Sequence, residues 1–175
     1  MKNALLCLCA WSLLLLVATG AQAQTAQPNP KPNAAPTAAD KAATAKVLQL
    51  LEATGLGYSK AQDNVWAIKY KGEKLSEFSV IVIYSQNMLI FVSVVAEKKD
   101  YKTPPELLQK LLSLNDDLDR VKIGIDKDDG DLFVRIDLSL RVVDEQEFKA
   151  NLEQISAAVD ETYAVLKPYL VAPKK

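Results

Sequence analysis

Asp128-Asp129-Gly130-Asp131 runs directly into Leu132-Phe133-Val134-Arg135-Ile136-Asp137-Leu138-Ser139-Leu140-Arg141-Val142, and this alternation fixes the class of fold. Successive side chains of a strand point to opposite faces, so a period of two with one apolar set is the mark of a half-buried strand. Leu132, Val134, Ile136, Leu138 and Leu140 point one way, while Phe133, Arg135, Asp137, Ser139 and Arg141 point the other. The Asp-Gly step before it is a hairpin signal, because a tight primed turn needs positive φ that Asp and Gly tolerate. The spacing therefore pairs Leu132–Val142 with a shorter strand over Val121–Asp126.

Upstream of this hairpin, Thr103-Pro104-Pro105-Glu106 reads as a helix start, with Thr as N-cap and Pro at the first helical position. Leu107, Leu111, Leu114 and Leu118 recur at helical spacing, and Leu108 and Leu112 widen the stripe. Farther back, Glu77–Tyr84 and Met88–Ala96 are almost continuously apolar and β-branched, joined by Ser85-Gln86-Asn87. Such runs predict central strands buried on both faces, or on one face plus a partner surface. Asn64–Lys71 alternates, with Trp66, Ile68 and Tyr70 on one side. Asp40–Thr54 has a helical period and ends at Gly55 and Gly57. Downstream, Asp144 with Glu147 caps a long helix striped by Phe148, Leu152, Ile155, Val159, Tyr163 and Leu166 and stopped at Lys167-Pro168. The predicted order is α-β-β-β-α-β-β-α, an α+β domain with one antiparallel sheet and helices mainly on one face.

The chain opens with an export signal: Lys2, then an apolar run from Ala4 to Ala18 broken only by Ser12, then Ala21-Gln22-Ala23 before Gln24. A run of about 15 apolar residues is short of the roughly 20 that span a bilayer, so cleavage after Ala23 is expected in preference to an uncleaved anchor. The expected location is periplasmic or secreted. Residues 24–39 carry Pro28, Pro30, Pro32 and Pro36 among Ala, Gln, Asn and Thr, the composition of a disordered tether. The predicted organisation is a signal peptide over 1–23, this tether over 24–39, one α+β domain over 40–168 and a tail over 169–175.

Composition removes several chemistries. The chain holds no histidine, and its two cysteines, Cys7 and Cys9, leave with the signal segment. Ser-His-Asp and Cys-His catalysis and the usual zinc sites are thereby excluded. Of 21 basic and 22 acidic residues, cleavage removes Lys2, leaving 20 against 22 with the signs interspersed. That balance offers no face for nucleic acid or an anionic membrane. Asp126, Asp128, Asp129 and Asp131 are the best metal candidates, but an EF-hand loop from Asp126 requires Gly sixth and Glu twelfth, where this chain has Asp131 and Asp137. A solvated hairpin tip is the favoured reading over weak calcium binding. Gly55-Leu56-Gly57 leads into no helix, so it is no phosphate loop. No catalytic residue, cofactor site or metal site is assigned.

Leu111–Asn115 with Leu118, Lys122–Asp126, Asp128-Asp129-Gly130-Asp131 running into Val134-Arg135-Ile136-Asp137-Leu138, and the acid-capped last helix together resemble the YbjN family, whose fold is that of the type III secretion chaperones. By element order the resemblance covers 40–166, and by local motif 107–166. It implies a non-enzymatic domain, since its fold-mates are dimeric binders of extended partner polypeptides. Those chaperones work in the cytosol, whereas this chain carries an export signal, so secretion-chaperone function does not follow from the fold.

Helices on one side of the sheet leave Arg135, Asp137 and Arg141 facing away beside part of the set Ile81, Ile83, Ile90 and Val92. A mixed apolar and charged face suits polypeptide recognition. The expected function is an exported, non-catalytic, homodimeric protein-binding domain, with Arg135, Asp137, Arg141, Ile81 and Ile83 as partner-binding residues. A periplasmic inhibitor or immunity-type protein blocking one enzyme is the second reading, and a hydrolase with a carboxylate site the third.

Overall fold

The computed structural model describes residues 37–171, so the expected signal segment and residues 24–36 of the expected tether lie outside the described residues. The domain consists of α1 (Ala38–Ala53), β1 (Tyr58–Gln62), β2 (Val65–Tyr70), β3 (Phe78–Ser85), β4 (Met88–Ala96), α2 (Pro105–Asp117), β5 (Lys122–Ile125), β6 (Leu132–Ser139) and α3 (Glu145–Leu166). The six strands form one antiparallel sheet in the order β1-β2-β3-β4-β6-β5.

This is the α+β architecture read from the sequence, with one strand more than expected. β1 escapes a periodicity search because Ser59, Lys60, Ala61 and Gln62 are all exposed; beyond its pairing with β2, only the half-buried Tyr58 packs against the core. An edge strand with one core contact needs no apolar alternation.

Local chemistry accounts for the element ends. The hydroxyl of Thr37 accepts from the Asp40 backbone N–H at 3.1 Å while the Asp40 carboxylate accepts from the Thr37 N–H at 3.0 Å, a reciprocal capping box. Thr37 to Ala39, which the sequence assigned to the tether, therefore open α1. Between β3 and β4, Gln86 and Asn87 both adopt positive φ, at 49° and 64°, as a two-residue primed turn requires. The β5–β6 connection differs from the expected tight turn. Only Gly130 has positive φ there, at 81°, and the loop closes through Asp126 N–H to Asp131 O at 2.8 Å and Gly130 N–H to Asp126 O at 2.9 Å.

Two further expectations are corrected. Thr103 does not cap α2: its hydroxyl accepts from Lys98 Nζ instead, and Pro104 stands at the cap position without a side-chain bond. The last strand stops at Ser139: Leu140 N–H still donates to Asn87 O in the neighbouring hairpin at 2.9 Å, but Leu140–Val142 form a 3-10 turn in which Val143 N–H donates to Leu140 O. At the other end, Tyr169 and Leu170 are not a free tail: Lys102 N–H donates to Tyr169 O, and Leu170 bridges to Tyr101.

The core lies between one face of the sheet and the helices. Trp66, Ile68, Val80, Val82, Leu89, Phe91, Val134 and Ile136 point to that face and are buried. α3 supplies Phe148, Leu152, Ile155 and Val159, all buried as the stripe predicted, and Phe148 packs on Phe91 with ring centroids 5.2 Å apart. Truncating such a side chain to Ala typically costs about 2–5 kcal/mol. On α2, Leu107 and Leu111 join this core, but Leu108 and Leu112 face solvent, so the stripe is narrower than expected.

Candidate functional site

The residues that alternate with the core set form the opposite face of the sheet, which no helix among the described residues covers. Cross-strand pairing arranges them in rows: Val65 opposite Ile83, Ile83 opposite Ile90, Ile90 opposite Asp137, and next to it Ala67, Ile81, Val92, Arg135 and Lys122 in succession. Neighbouring strands are about 4.8 Å apart and successive residues on one face about 6.8 Å, so these rows make a continuous aliphatic stripe across β2, β3 and β4. Val94 extends it along β4 and is 52 % exposed. The nearly continuous apolar character of β3 and β4 thus serves a core on one side and an open aliphatic surface on the other.

At the β6 end the stripe meets charge. Asp137 accepts from Arg135 Nε at 2.6 Å and from Lys122 Nζ at 2.8 Å. Burial pushes the Asp137 carboxyl up, but the hydrogen bonds from Lys122 and Arg135, with their positive charges, outweigh it and hold the group below its ordinary value. The structure therefore brings Ile81, Ile83, Arg135 and Asp137 together on one face. Arg141 is not among them, because the strand has ended before it. It stands in the 3-10 turn beside Ala43 and Lys46 of α1 and Asn87, at the end of the sheet. Leu140 stays in the core as alternation placed it, but alternation alone could not show that the backbone enters a 3-10 turn there and carries Arg141 off the sheet face.

The two sheet edges are poor sites for an added strand. On β5, Ile123 N–H donates to Asn115 Oδ1 at 2.7 Å and Ile123 O accepts from Asn115 Nδ2 at 2.9 Å, so a side-chain amide of α2 takes the place of a neighbouring strand. On β1 the register breaks between Lys60 and Gln62, and Lys60 pairs with Asp63 at the hairpin tip. Bulges and lysines are devices that disfavour edge pairing. The face remains the larger recognition surface.

The acidic hairpin is spent on its own loop. Asp126 accepts from Asp128 N–H, Asp129 from Asp131 N–H and Asp131 from Lys98 N–H, while the Tyr101 hydroxyl donates to Gly130 O. Among the described residues no cluster of three or more carboxylates is placed to hold a metal ion.

Comparison with known proteins agrees with this architecture. Residues 44–168 match the model of the YbjN family, described as "Putative bacterial sensory transduction regulator". The chain belongs to the YbjN family. No curated protein matches it in sequence. Among solved structures, YbjN from E. coli is similar at a TM-score of 0.50 and 18 % identity, over 71 % of this chain and 92 % of that one. A chain of the heterodimeric ExoU–SpcU complex of the Pseudomonas aeruginosa type III secretion system is similar at a TM-score of 0.53 and 17 % identity, over 69 % of this chain and 97 % of that one. A chain of the ExsC–ExsE complex gives 0.54 and 15 %, over 70 % and 95 %. At these identities the likeness is one of fold, and it places this YbjN domain in the type III secretion chaperone-like class expected from its sequence.

Proposed function

We propose that this YbjN-family chain is an exported, non-catalytic protein-binding domain that receives a partner polypeptide across the open face of its sheet, and that two copies associate through the same face when no partner is present. The observation that carries the reading is the aliphatic stripe of Ile81, Ile83, Ile90 and Val92, left uncovered by every helix among the described residues and bordered by Arg135 and Asp137. A stripe of this kind gains roughly 25 cal/mol for each Å² taken out of water. Binding would hide it, and so would self-association, which makes the two mutually exclusive. That two of the fold relatives come from protein complexes supports a protein ligand. The lack of histidine anywhere, and of cysteine after residue 9, supports a binding role over catalysis. The Lys2 to Ala23 segment supports export.

Site-specific photo-crosslinking in cells tests the reading. A crosslinking residue at Ile83 or Val92 should give adducts in the envelope fraction, and one at Leu112, which is 69 % exposed on α2, should not. Adducts confined to Leu112 would move the partner to α2. Intact mass of the same material should correspond to a chain beginning at Gln24, and a species retaining Met1 in the cytosol would remove export.

A further inference from the structure

The guanidinium of Arg135 is half-used. Its one hydrogen bond among the described residues runs from Nε to Asp137, so the two Nη groups have no partner there, and the side chain is 41 % exposed. Asp137, only 15 % exposed, fixes the orientation of that guanidinium from one side and of Lys122 from the other. One carboxylate between two cations leaves a net positive charge at this corner. Among the paired residues of the open face, Asp137 is the single carboxylate, against Lys69, Lys122 and Arg135. The described domain as a whole is acidic, with its carboxylates concentrated in the 126–131 hairpin, around the α2 C-terminus and on α3. The open face is therefore cationic on an acidic molecule.

We infer that Arg135 is a carboxylate-recognition site at the end of the aliphatic stripe, and that the segment received by the open face is an extended polypeptide bearing an Asp or Glu side chain next to aliphatic residues. The free Nη pair forms the fork that binds a carboxylate through two parallel hydrogen bonds, and because Asp137 already orients the guanidinium, little rotamer freedom is left to lose. Val92 lies opposite Arg135, and Ile81 lies opposite Val92. A carboxylate on the fork thus places the neighbouring side chains of a segment crossing the strands over Val92 and Ile81. Lys122, beyond Arg135 in the same row, adds a second positive charge without a second fork.

This rests on the open face as the docking surface, and the experiment separates the two claims. Fluorescence anisotropy is measured with the full processed chain and a set of labelled octapeptides, acetylated and C-terminally amidated, in which Val and Ile alternate with Ser and a single position is Glu, Gln or Lys. The Glu peptides should bind about tenfold more tightly than their Gln counterparts at low ionic strength, with the Lys peptides weakest, and the Glu preference should shrink as salt is added. Arg135→Gln should abolish the preference, bringing the Glu peptides to the affinity of the Gln peptides measured on the same variant, and Arg135→Lys should restore only part of it. Equal binding of Glu and Gln peptides to the unmodified chain, or a preference that survives in Arg135→Gln, overturns the carboxylate site but leaves the face intact. Absence of binding by every peptide, at concentrations to about 1 mM, overturns the face as well.

Discussion

A Cβ built on Gly72 would stand 2.1 Å from Oδ1 of Asp160, because the carboxylate of this α3 residue fills the space that a side chain at position 72 would need. There it accepts from the backbone N–H groups of Glu73, Lys74 and Leu75, the last at 2.9 Å, and so fastens the β2–β3 connection to the helix layer. Gly72→Ala and Asp160→Ala should each lower stability by about 1–3 kcal/mol, the scale of losing a charged hydrogen-bond acceptor. Since both remove the same contact, the double variant should fall well short of the sum in denaturant titrations. Additive losses would show that Asp160 does not act through this loop.

Stability should decline on acidification through the same group. Burial raises the Asp160 carboxyl, but the hydrogen bonds from Leu75, Glu73 and Lys74 and the charge of Lys74 outweigh it and hold it below its ordinary value of 3.8. Asp137 is lowered likewise by Lys122 and Arg135. A carboxyl with a depressed folded-state pKa contributes stability above its unfolded value and loses it as pH falls through the folded one. Melting temperature should therefore drop below pH 3.8, and Asp160→Asn should be less stable at neutral pH but flatter across the acid limb. An acid limb as steep in Asp160→Asn as in the parent would assign it to other carboxylates.

How much of this was legible in the sequence depends on whether the residue in question answers to the core. Phe148, Leu152 and Ile155 repeat because α3 lies along the sheet, and Trp66 and Ile68 alternate because β2 has one dry face. Ile81, Ile83, Arg135 and Asp137 fell on the open face for the same reason, since the position of Val82 or Ile136 in the core fixes where its neighbours point. β1 gives the core only Tyr58 and left no period. Arg141 and the Asp160 latch depend on contacts between segments distant in sequence, Leu140 with Asn87 and α3 with the loop at 73–75, which no local pattern encodes. Leu112 shows the converse: its spacing fits the apolar stripe of α2, yet the helix turns it outward.

Asn115, half-buried on α2, should matter more than a polar residue on a helix surface suggests. Its amide satisfies both backbone groups of Ile123 on the outer edge of β5. Asn115→Leu removes both hydrogen bonds and opens that edge, so it should cost about 1–3 kcal/mol and raise the rate of aggregation on warming. Light-scattering onset during a thermal ramp reads the second effect. An unchanged onset together with an unchanged melt would mean that water replaces the amide without penalty.

Calcium should leave the fold untouched, since Asp126, Asp129 and Asp131 already accept backbone N–H groups within the hairpin and from Lys98. Melts in millimolar calcium and in EDTA should coincide. A rise of about 5 °C or more with calcium, roughly 1 kcal/mol for a domain of this size, would establish a site.

The open face yields the sharpest contrast, because two arginines that alternation placed on one strand are separated in the fold. Arg135 stands opposite Val92 beside the aliphatic stripe, and Arg141 stands in the turn after β6. If two copies associate by burying Ile81, Ile83 and Val92, each 100 Å² removed from water contributes roughly 2.5 kcal/mol, and a charge set into the stripe must be desolvated at a comparable cost. Light scattering of the processed chain should give twice the monomer mass in the micromolar range. Ile81→Asp and Val92→Asp should each give monomer, Arg135→Glu should weaken the dimer by placing a second carboxylate beside Asp137, and Arg141→Glu should change nothing. Both Asp variants should keep the far-ultraviolet spectrum of the parent, since Ile81 and Val92 lie outside the core. A parent chain that is monomeric throughout, or a dimer lost in Arg141→Glu and kept in Ile81→Asp, would show that the stripe is not the contact.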